Sequence, residues 1–417
     1  MDITISIFRG IIGAIVLIGI AFLFSKNRKA VNWKVVGVAL ITDLILVNLI
    51  LHTRPGQLIF EYMAQGVEKF MSFAAFGTAF VFGDIQKVYP SAFIFIALVP
   101  LIFFGAFMGL LYHFGIIQKI IKVISLFLIH VLKLSGVEST GIVSNVLVGQ
   151  SETAVVLGPY LKKMSDSELF MIMTSGMASV AGTLLYAYYA MGANLSYVIA
   201  ASILSAPTAV IMAKILFPRQ KSEEEIVSEV ENISLGTSNA IDAIAHGAMG
   251  GWKVAVAVGV MLVAFVSLIH LANSCVDFIS FGYFTFDTLL GYLFTPVAYL
   301  IGVPTQDVPG FAALLGQKTF FNEFVAYTNL KNFTFTHKGF MMICFALTGF
   351  ANLSSIAIQT GCYGCQDEGV RAKVVKFGLE HCLEQSLQTC LAQLLLGCSS
   401  CKVYTSIKKY TVSVLLY

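Results

Sequence analysis

Two glutamates lie where a lipid bilayer should forbid a charge. Glu152 sits in Gly149-Gln150-Ser151-Glu152-Thr153, and Glu323 in Asn322-Glu323-Phe324-Val325-Ala326-Tyr327, each in the middle of apolar sequence of helix length. An ionised side chain at membrane depth is costly unless it faces protein, water or a bound polar solute. Each Glu is followed at nearly the same distance by another polar interruption. Gly176-Met177-Ala178-Ser179-Val180-Ala181-Gly182 follows the first, and Gly349-Phe350-Ala351-Asn352-Leu353-Ser354-Ser355 the second. The duplicated order suggests one polar site assembled from two repeats, a plan that many secondary transporters use.

The membrane reading follows from composition. Of 417 residues, 57% are hydrophobic and only 12% charged, against about 25% charged in soluble domains. Runs long enough to span recur at Ile3–Phe24, Val35–Leu51, Ala92–Leu111, Leu169–Ala190, Tyr197–Leu216, Trp252–Leu271, Gly339–Ile358 and Val374–Leu396. The first is too long and too poorly flanked for a cleaved leader and reads as a true span. Gln57–Ala74 and Ile116–Leu134 carry charges on one side and suit interfacial amphipathic helices. The net charge of +3 comes from cations at span ends, with no basic stripe for nucleic acid. Pro218–His246, with Glu223, Glu224 and Glu225, reads as a solvated loop or surface helix.

The eight cysteines do not form a disulfide framework pattern. Cys275 and Cys344 read as small core residues. Cys362-Tyr363-Gly364-Cys365 and Cys398-Ser399-Ser400-Cys401 are separated by a stretch long enough to cross the bilayer, which would put the pairs on opposite faces and preclude a shared zinc.

Val137–Tyr160 and Val308–Leu330 are apolar but too interrupted to span, and each fits a re-entrant hairpin of two half-helices with an unwound tip. The positive-inside rule places Lys26, Arg28 and Lys29, then Lys162 and Lys163, Arg219 and Lys221, and Arg371, Lys373 and Lys376 on the cytoplasmic face, with the N-terminus outside. Lys402, Lys408 and Lys409 break the pattern. Three spans separate the hairpins, so they enter from opposite sides and the repeats are inverted. The expected fold is therefore an all-α integral membrane protein of about eight spans plus two opposed hairpins. The expected units are 1–115 (first spans and interfacial helix, mainly scaffold), 116–217 (first repeat), 218–300 (loop, long scaffold span and external helix) and 301–417 (second repeat).

Through Gly149-Gln150-Ser151-Glu152, Asn322-Glu323-Phe324-Val325-Ala326-Tyr327 and Gly349-Phe350-Ala351-Asn352-Leu353-Ser354-Ser355, in this order, the chain resembles the concentrative nucleoside transporters in their bacterial eight-span form. The resemblance implies a homotrimer in the inner (plasma) membrane, each protomer moving a transport domain against a scaffold. It further implies that Gln150, Ser151 and Glu152 meet the nucleobase with Leu184 and Phe350 packed on it. Glu323, Asn352 and Ser355 would hold the ribose hydroxyls. A coupling sodium ion would sit among Asn145, the Val148 carbonyl, Ser179 and the Val180 carbonyl, with no organic cofactor. Ser151 stands where Thr is commoner and Leu184 where a smaller Val is commoner; a narrower base pocket tilts the reading toward pyrimidine nucleosides such as uridine.

The residue chemistry agrees with those roles. Carboxylate and amide groups bridge vicinal hydroxyls, Gln150 offers a donor and an acceptor to a base edge, and side-chain oxygens with freed carbonyls suit a hard cation. Blander readings stand beside it. Glu152 and Glu323 could be satisfied by hairpin-tip amides, and Asn352 and Ser355 could bond back into their own turn. Asn145 and Ser179 could join helices, Leu184 and Phe350 could be packing, and Asp43 could make a scaffold contact. Proton-coupled uptake is the alternative coupling, against which the Asn145/Ser179 pair weighs. A passive channel would lack accumulation. An intramembrane hydrolase would need a nucleophile or zinc motif that the spans lack.

Overall fold

The computed structural model describes residues 3–83, 85, 88–89, 92–219 and 237–377, with 387, 389 and 391; the side chains of 3–11 and of Leu353 are outside the description. Most of the expected span Val374–Leu396, the acidic run at Glu223–Glu225 and the second cysteine pair lie outside the described residues. Among the described residues all regular structure is helical.

Among the described residues, five helical segments are long and apolar enough to cross a membrane: Trp33–His52, Ile94–His113, Asp166–Ala190, Leu195–Leu216 and Ala240–Ile279. Ile12–Leu23 and His337–Leu347 are shorter apolar helices. The helices relevant below are α1 (Ile3–Leu23), α2 (Trp33–His52), α3 (Arg54–Ser72), α4 (Ala74–Phe82), α5 (Pro100–His113) and α6 (Ile116–Leu132). They continue as α7 (Gly136–Leu147), α8 (Gln150–Val156), α9 (Asp166–Ala178), α10 (Leu185–Ala190), α11 (Leu195–Leu216) and α12 (Ala240–Ile279). The last are α13 (Phe286–Leu300), α14 (Val308–Phe320), α15 (Glu323–Leu330), α16 (His337–Leu347) and α17 (Leu353–Gln366).

Local chemistry sets the boundaries. Asn32 caps α2, its side chain accepting from the amides of Lys34 and Val35. Ser135 with Glu138 and Ser165 with Glu168 form capping boxes that start α7 and α9, each satisfying two orphan donors. The two starts are stitched together, because Ser135 Oγ also donates to Glu168 at 2.8 Å. In the second half Asp307, which precedes α14, accepts from the amide and hydroxyl of Thr336, which caps α16.

Several boundaries shift by a few residues from the sequence expectation, and two of the shifts have a clear physical cause. The helix expected at Gln57–Ala74 begins at Arg54, because the Thr53 hydroxyl accepts from Gly56 N–H and Pro55 pre-sets the first turn. The span expected at Trp252–Leu271 is a 40-residue helix, α12. Asn239 caps it through the Asp242 amide, so the segment through His246 is helical from Ala240 onward. At 1.5 Å per residue α12 is about 60 Å long, roughly twice the hydrocarbon thickness.

The most extensive helix contact joins α12 to α5, and glycine makes it possible. Gly105 and Gly109 on α5 face Gly247 and Gly251 on α12 so closely that a Cβ at any of the four would lie 2.2–2.4 Å from a backbone oxygen of the other helix. This is the small-x-x-x-small packing that lets membrane helices touch backbone to backbone. A second group packs α2 against α11, burying Val47, Ile50 and Leu51 against Ala200, Ala201 and Leu204. Asp43, one turn before Val47, is buried there with neither carboxylate oxygen hydrogen-bonded. Cys344 is core, as expected, but Cys275 is exposed on α12.

The expected interrupted segments are interrupted. The α7/α8 pair meets at Val148–Gly149, where Gly149 has φ 108°, and the α14/α15 pair meets at Phe321–Asn322. The two halves of each pair pack on one another. The expected span Leu169–Ala190 breaks after Ala178 into extended backbone at Ser179, then a tight turn at Gly182–Leu184. The expected span Gly339–Ile358 breaks after Leu347 and resumes at Leu353.

Candidate functional site

The two helix breaks touch one another. Phe350 N–H donates to the Met177 carbonyl at 2.6 Å. Gly349, at φ 95°, passes so near that a Cβ would sit 2.5 Å from the Ala178 carbonyl oxygen. Only glycine combines that φ with that approach. Gly149 at the first tip likewise leaves 2.6 Å between its notional Cβ and Ala181 Cβ. The first tip and both unwound segments therefore converge on one place, which accounts for irregular backbone within apolar helices.

Around this crossing lies a hydrogen-bond network of side chains nearly or fully buried. Asn322 starts α15 by accepting from Val325 N–H at 3.0 Å, which places Glu323 in the first turn, near the positive end of the helix dipole. Glu323 Oε2 accepts from Asn352 Nδ2 at 2.7 Å and Oε1 from Tyr188 Oη at 3.1 Å. Asn352 in turn caps α17, its Oδ1 accepting from the Ser355 amide and hydroxyl, both at 3.0 Å, and from the Ser354 hydroxyl at 2.6 Å. Glu323, Asn352 and Ser355, three residues singled out from sequence, are thus one connected unit. Tyr188, on α10, stacks on Tyr327 at 4.7 Å between centroids and packs on Phe324.

The first tip reaches across in the same way. Gln150 Oε1 accepts from Gln359 Nε2 at 3.0 Å, and Gln359 also donates to the Met173 carbonyl at 2.9 Å. Ser151 and Glu152 are half-buried. Leu184 and Phe350 are buried, each 7% exposed. Each interrupted pair therefore holds a polar group bonded to the post-break helix of the other half of the chain: Gln150 to α17, Glu323 to α10.

Buried oxygen acceptors lie beside the first tip. Asn145 Nδ2 donates to the Ile172 carbonyl at 2.9 Å and to Ser175 Oγ at 2.7 Å, which orients Oδ1 the other way. That oxygen is buried with no hydrogen-bond partner. Ser179 Oγ donates to the Ser175 carbonyl at 2.9 Å and so keeps its lone pairs for acceptance. Val148 and Val180 are buried at the ends of α7 and α9, and the Ser202 hydroxyl contacts both the amide and carbonyl of Val180 at 3.3 Å. Asn145 lies in the last turn of α7, and its amide group is bonded to the last turns of α9, whose C-terminus carries partial negative charge. This donor set is all hard oxygen and fits sodium.

Three polar contributors were not singled out from sequence. Gln359 had a signal, since positions 352, 355 and 359 share one helical face. Tyr188 was one of three clustered tyrosines, with nothing local to select it. Lys318, 1% exposed, donates to the carbonyls of Ala346 at 2.6 Å and Thr348 at 3.3 Å.

Helices apolar enough to span a bilayer, broken at two contacting points and lined there by a network of buried polar side chains, define a membrane transport protein. Sequence comparison settles which kind: the chain belongs to the Na+-dependent, or concentrative, nucleoside transporter family. Residues 12–85 match its N-terminal region, residues 197–397 the "Na+ dependent nucleoside transporter C-terminus", and residues 94–195 a "Nucleoside recognition" region. The transporter YutK of Bacillus subtilis is 36% identical over 93% of this chain and 98% of its own length. The nucleoside permease NupC of Helicobacter pylori is 34% identical over 93% and 96%. Human sodium/nucleoside cotransporter 1 is 31% identical over 84% of this chain and 57% of its own length. Among solved structures, CNTnw in an inward-facing substrate-bound state superposes with TM-score 0.89 at 34% identity, covering 95% of this chain and 98% of that one. The relatives are transporters and permeases rather than enzymes.

Proposed function

We propose that this protein is a sodium-coupled symporter that imports nucleosides, with pyrimidine nucleosides such as uridine preferred, across the inner membrane. The observation that carries the reading is the buried unit of Glu323, Asn352 and Ser355 at the contact of two helix breaks. A carboxylate there accepts from two neutral donors, and ribose hydroxyls can replace or extend those bonds in kind. Glu323, Asn352 and Ser355 take the ribose; Gln150, Ser151 and Glu152 take the base edge; Leu184 and Phe350 cover its faces. Gln150 exchanges its bond to Gln359 for one to the base, so substrate selection is coupled to α17.

Sodium enters as co-substrate at Asn145, Ser179 and the Val148 and Val180 carbonyls. The orphaned Asn145 oxygen supports this, because a buried acceptor without a donor is costly and a cation removes the cost. Binding there draws the ends of α7 and α9 together and fixes the first tip, on which Gln150 and Glu152 stand. The two helix pairs act as opposed re-entrant hairpins of inverted repeats, and the loaded body moves as an elevator against a scaffold containing α5 and α12. Val256, Val260, Val263 and Leu271 leave much of α12 apolar and exposed, in keeping with contact to lipid and to other protomers of a homotrimer.

The test is uptake of radiolabelled uridine, cytidine and adenosine into proteoliposomes under separate sodium and proton gradients. Accumulation of uridine above the external concentration under the sodium gradient alone is expected. Accumulation driven only by protons, or simple equilibration, overturns the reading.

A further inference from the structure

The two repeats match residue by residue at their tips, and the match puts a lysine where the first repeat has its proposed cation ligand. Gly149 precedes α8 as its cap and Asn322 precedes α15 in the same way. Counting back four residues from each gives Asn145 on α7 and Lys318 on α14. Ser179 ends α9 as its C-cap and Thr348 ends α16 in the same role. The hydroxyls of these two residues make the same bond, each donating to the carbonyl four residues back, Ser175 at 2.9 Å and Cys344 at 2.7 Å. Caps, spacing and hydroxyl geometry therefore all place Lys318 opposite Asn145 and the α16 end opposite the α9 end.

What differs is the source of positive charge. In the first repeat the Asn145 amide is bonded to α9 through Ile172 and Ser175, and its oxygen is left with no partner. In the second, the Lys318 ammonium donates directly to the carbonyls of Ala346 and Thr348 at the end of α16. Glu323 follows five residues later, in the first turn of α15. A buried ammonium is expensive unless it is surrounded by acceptors and a counter-charge. Here a helix C-terminus supplies the acceptors and Glu323 the opposite sign.

We infer that Lys318 is a covalently tethered cation that occupies, in the second repeat, the position taken by sodium in the first. The consequence is a specificity determinant for the coupling ion: one repeat needs a soluble cation to order its break and the other carries its own. Only one sodium would then be needed to prepare both halves of the nucleoside site. The inference rests on the sodium reading of Asn145.

The experiment compares wild type with Lys318→Arg, Lys318→Met, Lys318→Asn and Asn145→Ala, each as full-length protein in detergent. Nucleoside affinity for uridine and thermal stability are both measured as a function of sodium. Wild type and Lys318→Arg should show a Hill coefficient for sodium of about 1, and Lys318→Asn, which recreates an amide oxygen at the second break, a steeper dependence approaching about 2. At low sodium Lys318→Asn should bind uridine at least about tenfold more weakly and recover as sodium rises, while Lys318→Met stays weak throughout. Wild-type affinity in Lys318→Met, or a Lys318→Asn loss that no sodium concentration relieves in binding or melting, overturns the inference. Failure of Lys318→Asn to fold at any sodium concentration counts against it equally, since it marks a purely structural lysine. Unchanged sodium dependence in Asn145→Ala would instead refute the first-repeat site, so the two failures are distinguishable.

Discussion

Replacing Glu323 by Gln separates charge from shape at the centre of the site. The carboxylate accepts from Asn352 Nδ2 at 2.7 Å and Tyr188 Oη at 3.1 Å. A Gln can keep its oxygen on Asn352 and turn its amide group toward Tyr188, whose hydroxyl rotates to accept. Both contacts survive as neutral hydrogen bonds. A bond to a charged group contributes about 1.5–3 kcal/mol and a neutral one about 0.5–1.5, so each loses roughly 1–1.5 kcal/mol. The same substitution removes the cost of burying a charge, which offsets that loss in the protein alone. Thermal stability should therefore change little. The nucleoside has no such offset. Two ribose hydroxyls that each lose roughly 1–1.5 kcal/mol give a fall in uridine affinity of about 30- to 150-fold. Calorimetric titration with uridine, 2′-deoxyuridine and 2′,3′-dideoxyuridine at saturating sodium measures it. The fall should shrink as hydroxyls are removed and nearly vanish for the dideoxy compound. An equal fall for all three, or one below about threefold for uridine, would refute a ribose-binding carboxylate. Asn352→Ala is the contrasting case, since it strips α17 of its cap and leaves Glu323 Oε2 without a donor. It should cost about 2–4 kcal/mol of stability as well as affinity.

Three further outcomes follow from the same geometry. Gly349→Ala forces a Cβ to within 2.5 Å of the Ala178 carbonyl at φ 95°; transport should fall at least about tenfold and the melting temperature drop, because the two breaks must separate. Gln359→Leu frees Gln150 from its partner at the first tip; uridine-over-adenosine discrimination, read by competition in proteoliposomes, should change several-fold while sodium dependence does not. At the end of α17, the Val370 amide and then Lys162 hold the Asp367 carboxyl below its ordinary value of 3.8. A depressed folded-state value gives stability that is present above the ordinary value and lost as pH falls through the depressed one. Asp367→Asn should therefore be less stable than wild type near neutral pH, with the gap in melting temperature closing in strong acid.

Several parts of this architecture are legible without any coordinates. Spans show because about 20 apolar residues in a row have one stable destination. The breaks show because Ser179 and Asn352 interrupt such runs, and a buried polar group in lipid must be answered by protein or solute. That Asn322 and Asn352 act as helix caps, setting Glu323 and Ser355 in first turns, was seen only in the structure. The reach of α12 beyond Trp252–Leu271 was not legible, because hydropathy reports bilayer contact and not where a helix stops.

By itself, then, the sequence determined that this chain would fill a membrane with helices, interrupt them at four places, and set acids and amides at those interruptions. Those are local consequences of hydrophobicity, helix period and capping. Which polar groups would meet was decided only by tertiary structure. Gln150 finds Gln359 across 209 residues and Tyr188 finds Glu323 across 135. Lys318 finds the end of α16, and four glycines find each other between α5 and α12. No local pattern encodes those pairings, because they exist only once packed helices bring distant donors and acceptors together where water is excluded.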